Sequence, residues 1–303
     1  MSDLNNFSPK KNSSSYHILS IDDMSTLLIS RIWEIASQQK NTPNESLKGK
    51  IITNLFYEPS TRTSSSFYSA MVIQSGSVIP INKVKFSSVT KGEDLEDTIR
   101  TVGCYSDAII LRHSETGSAK RAAAVSVKPI INAGDGHGEH PTQTLLDGFT
   151  IWKYCKKLSG LNITMVGDLK NGRTVKSLTK LLSRYGTNQF NFVSPKKLKF
   201  PKKEMPKNIK YLETSKLEDV IKETDVLYVT RVQKERGSKG KYSLTKKEIN
   251  LLPQNAIVMH PLPRISEIPK WFDVDPRAKY FHQMEYGLWC RMALLRQVIN
   301  GHL

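Results

Sequence analysis

The sequence runs to 303 residues, 38% of them hydrophobic, and carries 45 Lys and Arg against 28 Asp and Glu for a formal net charge of +17. That length exceeds one ordinary core and suits two α/β domains of roughly 150 residues each, while no apolar run approaches the ~20 residues of a membrane span. The three cysteines, Cys104, Cys155 and Cys290, are far apart and lack C-x-x-C spacing, which argues against a disulfide framework and a zinc site and fits a reducing cytosol.

Residues 1–16 are polar and rich in Asn, Ser and Lys, with no apolar stretch behind a charged start, so a loose tail is expected there, not a secretory signal. Beyond it, short β-branched runs alternate with helical patterns, the signature of βαβ units and a mostly parallel sheet. In the first half, strands are predicted at 50–56, 77–81, 107–111 and 129–132, and a helix at 61–74 with Phe67, Ala70 and Met71 on one face and Gly76 as its stop. A longer helix at 141–157, with Leu145, Phe149 and Trp152 aligned, could bridge the halves. In the second half, strands are predicted at 162–166, 190–193, 226–230 and 256–260. Helices are predicted at 174–185, ending at Gly186, and at 288–299. The lysine-rich stretches 196–210 and 234–247 lack interleaved aromatics and are expected to be solvated loops, not a nucleic-acid surface.

In open parallel sheets, ligands bind beyond the carboxyl ends of the strands. After the first predicted strand comes Glu58-Pro59-Ser60-Thr61-Arg62-Thr63, after the third Arg112-His113, and after the fourth a stretch that includes His140 and Gln143. The second half adds Asp168 to Arg173, then Arg231-Val232-Gln233, then Pro261-Leu262-Pro263-Arg264. A strand-to-helix turn with three hydroxyls and a guanidinium is a phosphate cradle in chemical terms. An ordinary helix cap needs only one hydroxyl. Arg173, Arg231 and Arg264 at successive strand ends suit a dicarboxylate, because guanidinium grips carboxylate in a fork. No Walker A loop is present, so nucleoside triphosphate chemistry has no support.

The segments Glu58 to Thr63, His140-Pro141-Thr142-Gln143, Gly167-Asp168-Leu169-Lys170 with Arg173-Thr174, Arg231 to Arg236 and His260-Pro261-Leu262-Pro263-Arg264 together resemble the aspartate transcarbamoylases. They stand in that family's order from about Asp22 to the C-terminus. The resemblance implies an α/β fold of two doubly wound parallel-sheet domains with the active site in the cleft between them. Residues 17–145 would bind carbamoyl phosphate, with a C-terminal helix at 286–303 packing back on them, and residues 146–285 would bind aspartate.

The resemblance also implies residue roles. Ser60, Thr61, Arg62 and Thr63 would hold the phosphate of carbamoyl phosphate; Arg112, His140 and Gln143 would hold its carbamoyl end. Arg173 and Arg231 would grip the carboxylates of aspartate, with Gln233 assisting, and Pro261 and Leu262 would offer backbone carbonyls. Ser87 and Lys91 match a loop that a neighbouring subunit inserts into the site, which implies at least a homotrimer. Larger assembly with regulatory chains or dihydroorotase is left open. The implied chemistry is direct attack of the aspartate amine on the carbamoyl carbon, with no cofactor, metal or covalent nucleophile. A cytoplasmic protein that binds no membrane is expected, with import into an organelle left open. Two positions depart from the pattern: Thr90, where bacterial relatives have a second lysine, and Asn171, where Tyr or His is common. Rival readings are an ornithine transcarbamoylase, against which Pro261 and the paired arginines speak, and an inactive scaffold or anion-binding chain.

Overall fold

The computed structural model describes residues 16–82, 92–231 and 243–301. The chain divides into two compact units. Unit 1 takes the described residues up to Gly138 together with those from Arg291 onward, and unit 2 is Glu139–Cys290. The boundaries expected from the sequence were 145/146 and 285/286.

Unit 1 runs α1 (Thr26–Gln39), β1 (Ile51–Phe56), α2 (Thr61–Ile73), β2 (Ser77–Ile81), α3 (Leu95–Gly103), β3 (Ala108–His113), α4 (Ser118–Val125) and β4 (Ile130–Asp135). Its four strands are parallel in the order β2-β1-β3-β4. The strands form because β-branched runs such as Ile51-Ile52-Thr53 and Ala108-Ile109-Ile110 are buried on a sheet that helices cover. Leu55, Ile99, Ile109, Leu111 and Ile130 make one continuous core with Leu95, Val102 and Ala122 of the covering helices. Side-chain caps open two helices: Ser25 accepts from Leu28 N at 3.1 Å, and Asp94 accepts from Asp97 N at 2.8 Å.

The stop of α2 differs from expectation. The left-handed residue is Ser75 (φ 61), and Gly76 follows it with its N–H on Met71 O at 2.9 Å. A Cβ at Gly76 would lie 2.4 Å from Met71 Cε and 3.1 Å from Leu47 O, so a larger residue there would have to displace the Met71 methyl.

Unit 2 contains α5 (Pro141–Cys155), β5 (Asn162–Val166), α6 (Arg173–Leu182), β6 (Gln189–Val193), β7 (Lys210–Thr214), β8 (Val226–Val229), α7 (Lys246–Leu251), β9 (Ile257–Met259) and the first part of α8 (Tyr280–Ile299). Its five strands are again all parallel, in the order β7-β6-β5-β8-β9. Strand β7 corrects the reading of residues 196–210 as loop alone. Lys210 opens an edge strand whose residues are exposed or half-buried, so it lacks the apolar run of the central strands. Leu198 and Phe200, inside the lysine-rich stretch, are core residues at 6% and 2% exposure. The C-terminal helix begins at Tyr280, earlier than the predicted 288.

Candidate active site

In a doubly wound sheet, two neighbouring strands whose connections leave in opposite directions open a crevice at their carboxyl ends. Unit 1 has that switch between β1 and β3, paired in register from Ile52↔Ala108 to Phe56↔Arg112. Unit 2 has it between β5 and β8, paired from Ile163↔Val226 to Val166↔Val229.

At the unit 1 switch, Ser60 is the N-cap of α2, yet its hydroxyl makes no capping hydrogen bond. The motif therefore does not serve as an ordinary cap. Thr61 and Arg62 are exposed and Thr63 is buried in the first turn, where backbone N–H groups and the helix dipole favour an anion. Arg112, opposite Phe56, donates through Nη1 to Ala133 O at 3.1 Å and pairs through Nη2 with Glu58 at 3.3 Å. His113 packs against Tyr57 with ring centroids 4.5 Å apart and the rings tilted by 55°, and burial pushes its imidazole below the ordinary pKa. Asp135 is spent internally, accepting Gly117 N at 2.9 Å and Asn132 Nδ2 at 3.1 Å.

At the unit 2 switch, β5 is followed by Gly167 (φ +119), where a Cβ would stand 2.3 Å from the O of Thr230, the residue after β8. Only glycine fits that approach. The next residue, Asp168, is fully buried and accepts Asn171 N at 3.0 Å and Asn171 Nδ2 at 3.1 Å. Asn171, which carried no consequence in the sequence, thus closes the turn that presents Arg173 as the first residue of α6, 8% exposed. Arg231 directly follows Thr230 and is half-buried.

Within unit 2, His140 and Gln143 stand at the start of α5, with Pro141 at its first turn. His140 Nδ1 lies 3.4 Å from the Thr142 hydroxyl. After β9, His260 Nδ1 accepts Leu262 N at 2.8 Å and so pins the turn through Pro261 and Leu262 (φ 52). Arg264, expected to face a dicarboxylate, is instead engaged by side chains of unit 2. Its guanidinium donates to Asp273 at 2.5 Å and to the Tyr280 hydroxyl at 3.2 Å, and lies over the Tyr280 ring. Ser87, Lys91 and Gln233 lie outside the described residues.

Sequence reasoning missed the centre of unit 2. Asp147 is fully buried and accepts hydrogen bonds from Gln143, Tyr228 and Gln283. Burial and the adjacent Asp147 carboxylate push the Tyr228 hydroxyl well above its ordinary pKa. The only signal was an acid one helical turn after Gln143 on a helix with no other carboxylate. Burial pushes the Cys155 thiol up to about 11, which leaves it unsuited to nucleophilic work. Among the described residues no three His, Cys, Asp or Glu gather to hold a metal.

Residues 16–153 match the carbamoyl-P binding domain of aspartate/ornithine carbamoyltransferases, and residues 159–298 match the Asp/Orn binding domain of the same family. The chain belongs to the aspartate/ornithine carbamoyltransferase family. It is 47% identical over 293 residues to aspartate carbamoyltransferase 3, chloroplastic, of Pisum sativum, covering 90% of this chain and 75% of that one. The catalytic subunit of M. jannaschii aspartate transcarbamoylase superposes with a TM-score of 0.88 at 44% identity, over 94% of this chain and 98% of that one. Trypanosoma cruzi aspartate transcarbamoylase in complex with carbamoyl phosphate and aspartate superposes with a TM-score of 0.87 at 39% identity, over 95% and 98%. Two all-parallel α/β domains are thus common to this chain and these carbamoyltransferases.

Proposed function

We propose that this chain is an aspartate carbamoyltransferase, moving the carbamoyl group of carbamoyl phosphate to L-aspartate and releasing N-carbamoyl-L-aspartate and phosphate, a step of pyrimidine (UMP) biosynthesis. The observation that carries the reading is the filling of the two switch points. One is lined by Ser60, Thr61, Arg62, Thr63 and Arg112, and the other by Arg173 and Arg231. A hydroxyl-rich helix start suits a phosphate, and two guanidiniums suit a dicarboxylate.

The neutral amine of aspartate attacks the carbamoyl carbon, the bond from that carbon to the bridging oxygen breaks, and the leaving phosphate takes the amine proton. Arg62 meets charge on the phosphate. Thr63, Arg112 and His140 donate to the carbonyl oxygen, where preorganised donors act most strongly once water is excluded. If the Thr142 hydroxyl, 3.4 Å from His140 Nδ1, is the donor of that pair, the imidazole proton sits on Nε2, the tautomer such a role needs. Gln143 holds the carbamoyl end, Arg173 and Arg231 hold the aspartate carboxylates with Gln233, and Pro261 and Leu262 contribute carbonyls.

Ser87 and Lys91 are assigned to a neighbouring subunit's site in a homotrimer, on their match to the family's inserted loop. Regulatory chains or dihydroorotase are the candidate further partners. The proposed compartment is the cytoplasm, supported by three cysteines that form no disulfide. No helix among the described residues is long and apolar enough to cross a membrane.

The test is turnover of the purified chain with carbamoyl phosphate and either L-aspartate or L-ornithine, following phosphate and carbamoyl amino acid. Aspartate-dependent turnover is expected. Ornithine turnover would reassign the arginine pair, and turnover with neither would sink the reading.

A further inference from the structure

One buried carboxylate in unit 2 has no part in the chemistry above. Asp147 is fully buried on α5, one turn after Gln143. Its Oδ1 accepts Gln143 Nε2 at 2.9 Å and Gln283 Nε2 at 2.6 Å, and its Oδ2 accepts the Tyr228 hydroxyl at 2.7 Å. Gln283 in turn accepts the backbone N–H of His260 through Oε1 at 3.0 Å.

This chain of hydrogen bonds has one allowed polarity. A backbone N–H only donates, so the Gln283 amide must turn its oxygen to His260 and its NH2 to Asp147. Oδ1 of Asp147 must therefore be an acceptor, and Gln143, which meets the same oxygen, must also offer it NH2. The Gln143 carbonyl oxygen is then the end turned away from Asp147. The same carboxylate reaches the arginine pair's neighbours: Tyr228 lies on β8, the strand that leads into Arg231, and hydrogen-bonds Thr174, which follows Arg173.

We infer that Asp147 is a positioning residue that makes Gln143 present oxygen to the substrate, and thereby selects a carbamoyl group over an acyl group of the same size. The carbamoyl NH2 donates to that oxygen. The methyl of acetyl phosphate, similar in volume, cannot. The inference rests on the assignment of Gln143 to the carbamoyl end.

The experiment measures kcat/KM with L-aspartate for carbamoyl phosphate and acetyl phosphate, and inhibition by inorganic phosphate, in the full chain. Asp147→Leu keeps the branching of the side chain and removes the acceptor. The carbamoyl-to-acetyl preference is expected to fall about tenfold, the worth of one hydrogen bond, with phosphate inhibition unchanged. Asp147→Asn, which can turn its oxygen to the two glutamines and its NH2 to Tyr228, is expected to restore the preference. A preference unchanged in Asp147→Leu, or lost in step with phosphate binding, overturns the inference.

Should the leucine variant not fold, Gln143→Glu places a carboxyl against Asp147, and the two must share a proton. Its carbamoyl phosphate affinity relative to the parent chain should improve on acidification, and a ratio flat with pH overturns the inference. A parent chain that turns over neither acyl phosphate with aspartate would overturn the proposed function itself, and this inference with it.

Discussion

Nη2 of Arg112 lies 3.3 Å from the carboxylate of Glu58, while its Nη1 is fixed on the Ala133 carbonyl at 3.1 Å. The backbone bond aims the guanidinium and the acid occupies its second arm, so the carbamoyl end assigned to Arg112 competes with Glu58 for that cation, and a phosphate at the start of α2 meets Glu58 as a nearby like charge. Both side chains are partly exposed, at 15% and 28%, so the like-charge penalty on the anion is modest. A term on the order of 1 kcal/mol makes Glu58→Gln bind inorganic phosphate roughly fivefold more tightly, with a gain that shrinks as salt is added. Calorimetric titration with phosphate decides it: weaker binding would mean that Glu58 chiefly aims Arg112.

Arg173, buried to 8% exposure at the start of α6, forms a charge-assisted pair with an aspartate carboxylate under the proposed function. Such hydrogen bonds contribute about 1.5–3 kcal/mol, so Arg173→Ala should raise KM for aspartate roughly 10- to 100-fold. KM for carbamoyl phosphate should move far less. Steady-state kinetics with each substrate varied separately would reveal the opposite pattern.

Asn171 supplies both a backbone and a side-chain donor to the fully buried Asp168. Asn171→Ala removes the side-chain donor and leaves a buried carboxylate short of a partner, at a cost of about 1–3 kcal/mol. A lowered Tm should come with a raised KM for aspartate, because the turn carries Arg173. A loss of Tm alone would show that the turn holds its shape without the amide.

Asp273 is held below the usual carboxylate range first by its hydrogen bonds from Arg264 and further by the Tyr280 hydroxyl, against a smaller opposing effect of burial. A carboxyl whose folded pKa is depressed stabilises the fold above its unfolded value, near ~3.9, and loses that contribution as pH falls through the lower folded value. Asp273→Asn should therefore melt below the parent chain at neutral pH, and the two should converge in acid. A Tm gap that stays constant from about pH 6 to about pH 3 would refute the assignment.

Among the described residues, eight of the nine strands were legible because most are near-continuous runs of apolar and β-branched residues, as in Ile51-Ile52-Thr53 and Val226-Leu227-Tyr228-Val229. Strand β7, Lys-Tyr-Leu-Glu-Thr, was not, because an edge strand with solvent on its open side needs no such run. The arginines and hydroxyls at the strand ends were legible because their chemistry is unusual for a turn. Arg264 was misread for a physical reason: an arginine's partner is set by tertiary packing, and Asp273 and Tyr280 come from elements further along the chain. Asp147 was invisible for the same reason, since Gln283 stands 136 residues away from it.

The division of the chain also orders its birth. Unit 2 is one unbroken stretch, Glu139–Cys290, whereas unit 1 is completed by residues from Arg291 onward. Arg291 donates to Ser66 at 3.0 Å and lies over the Phe67 ring, and Asn300 reaches Ser46 O at 3.4 Å. A polypeptide leaving the ribosome N-terminus first therefore holds all of unit 2 before it can cover α2. Through most of its synthesis the helix that begins with Ser60 to Thr63 lacks the Arg291 contacts at Ser66 and Phe67, and a chain stalled before Arg291 leaves that face more open to chaperones and proteases.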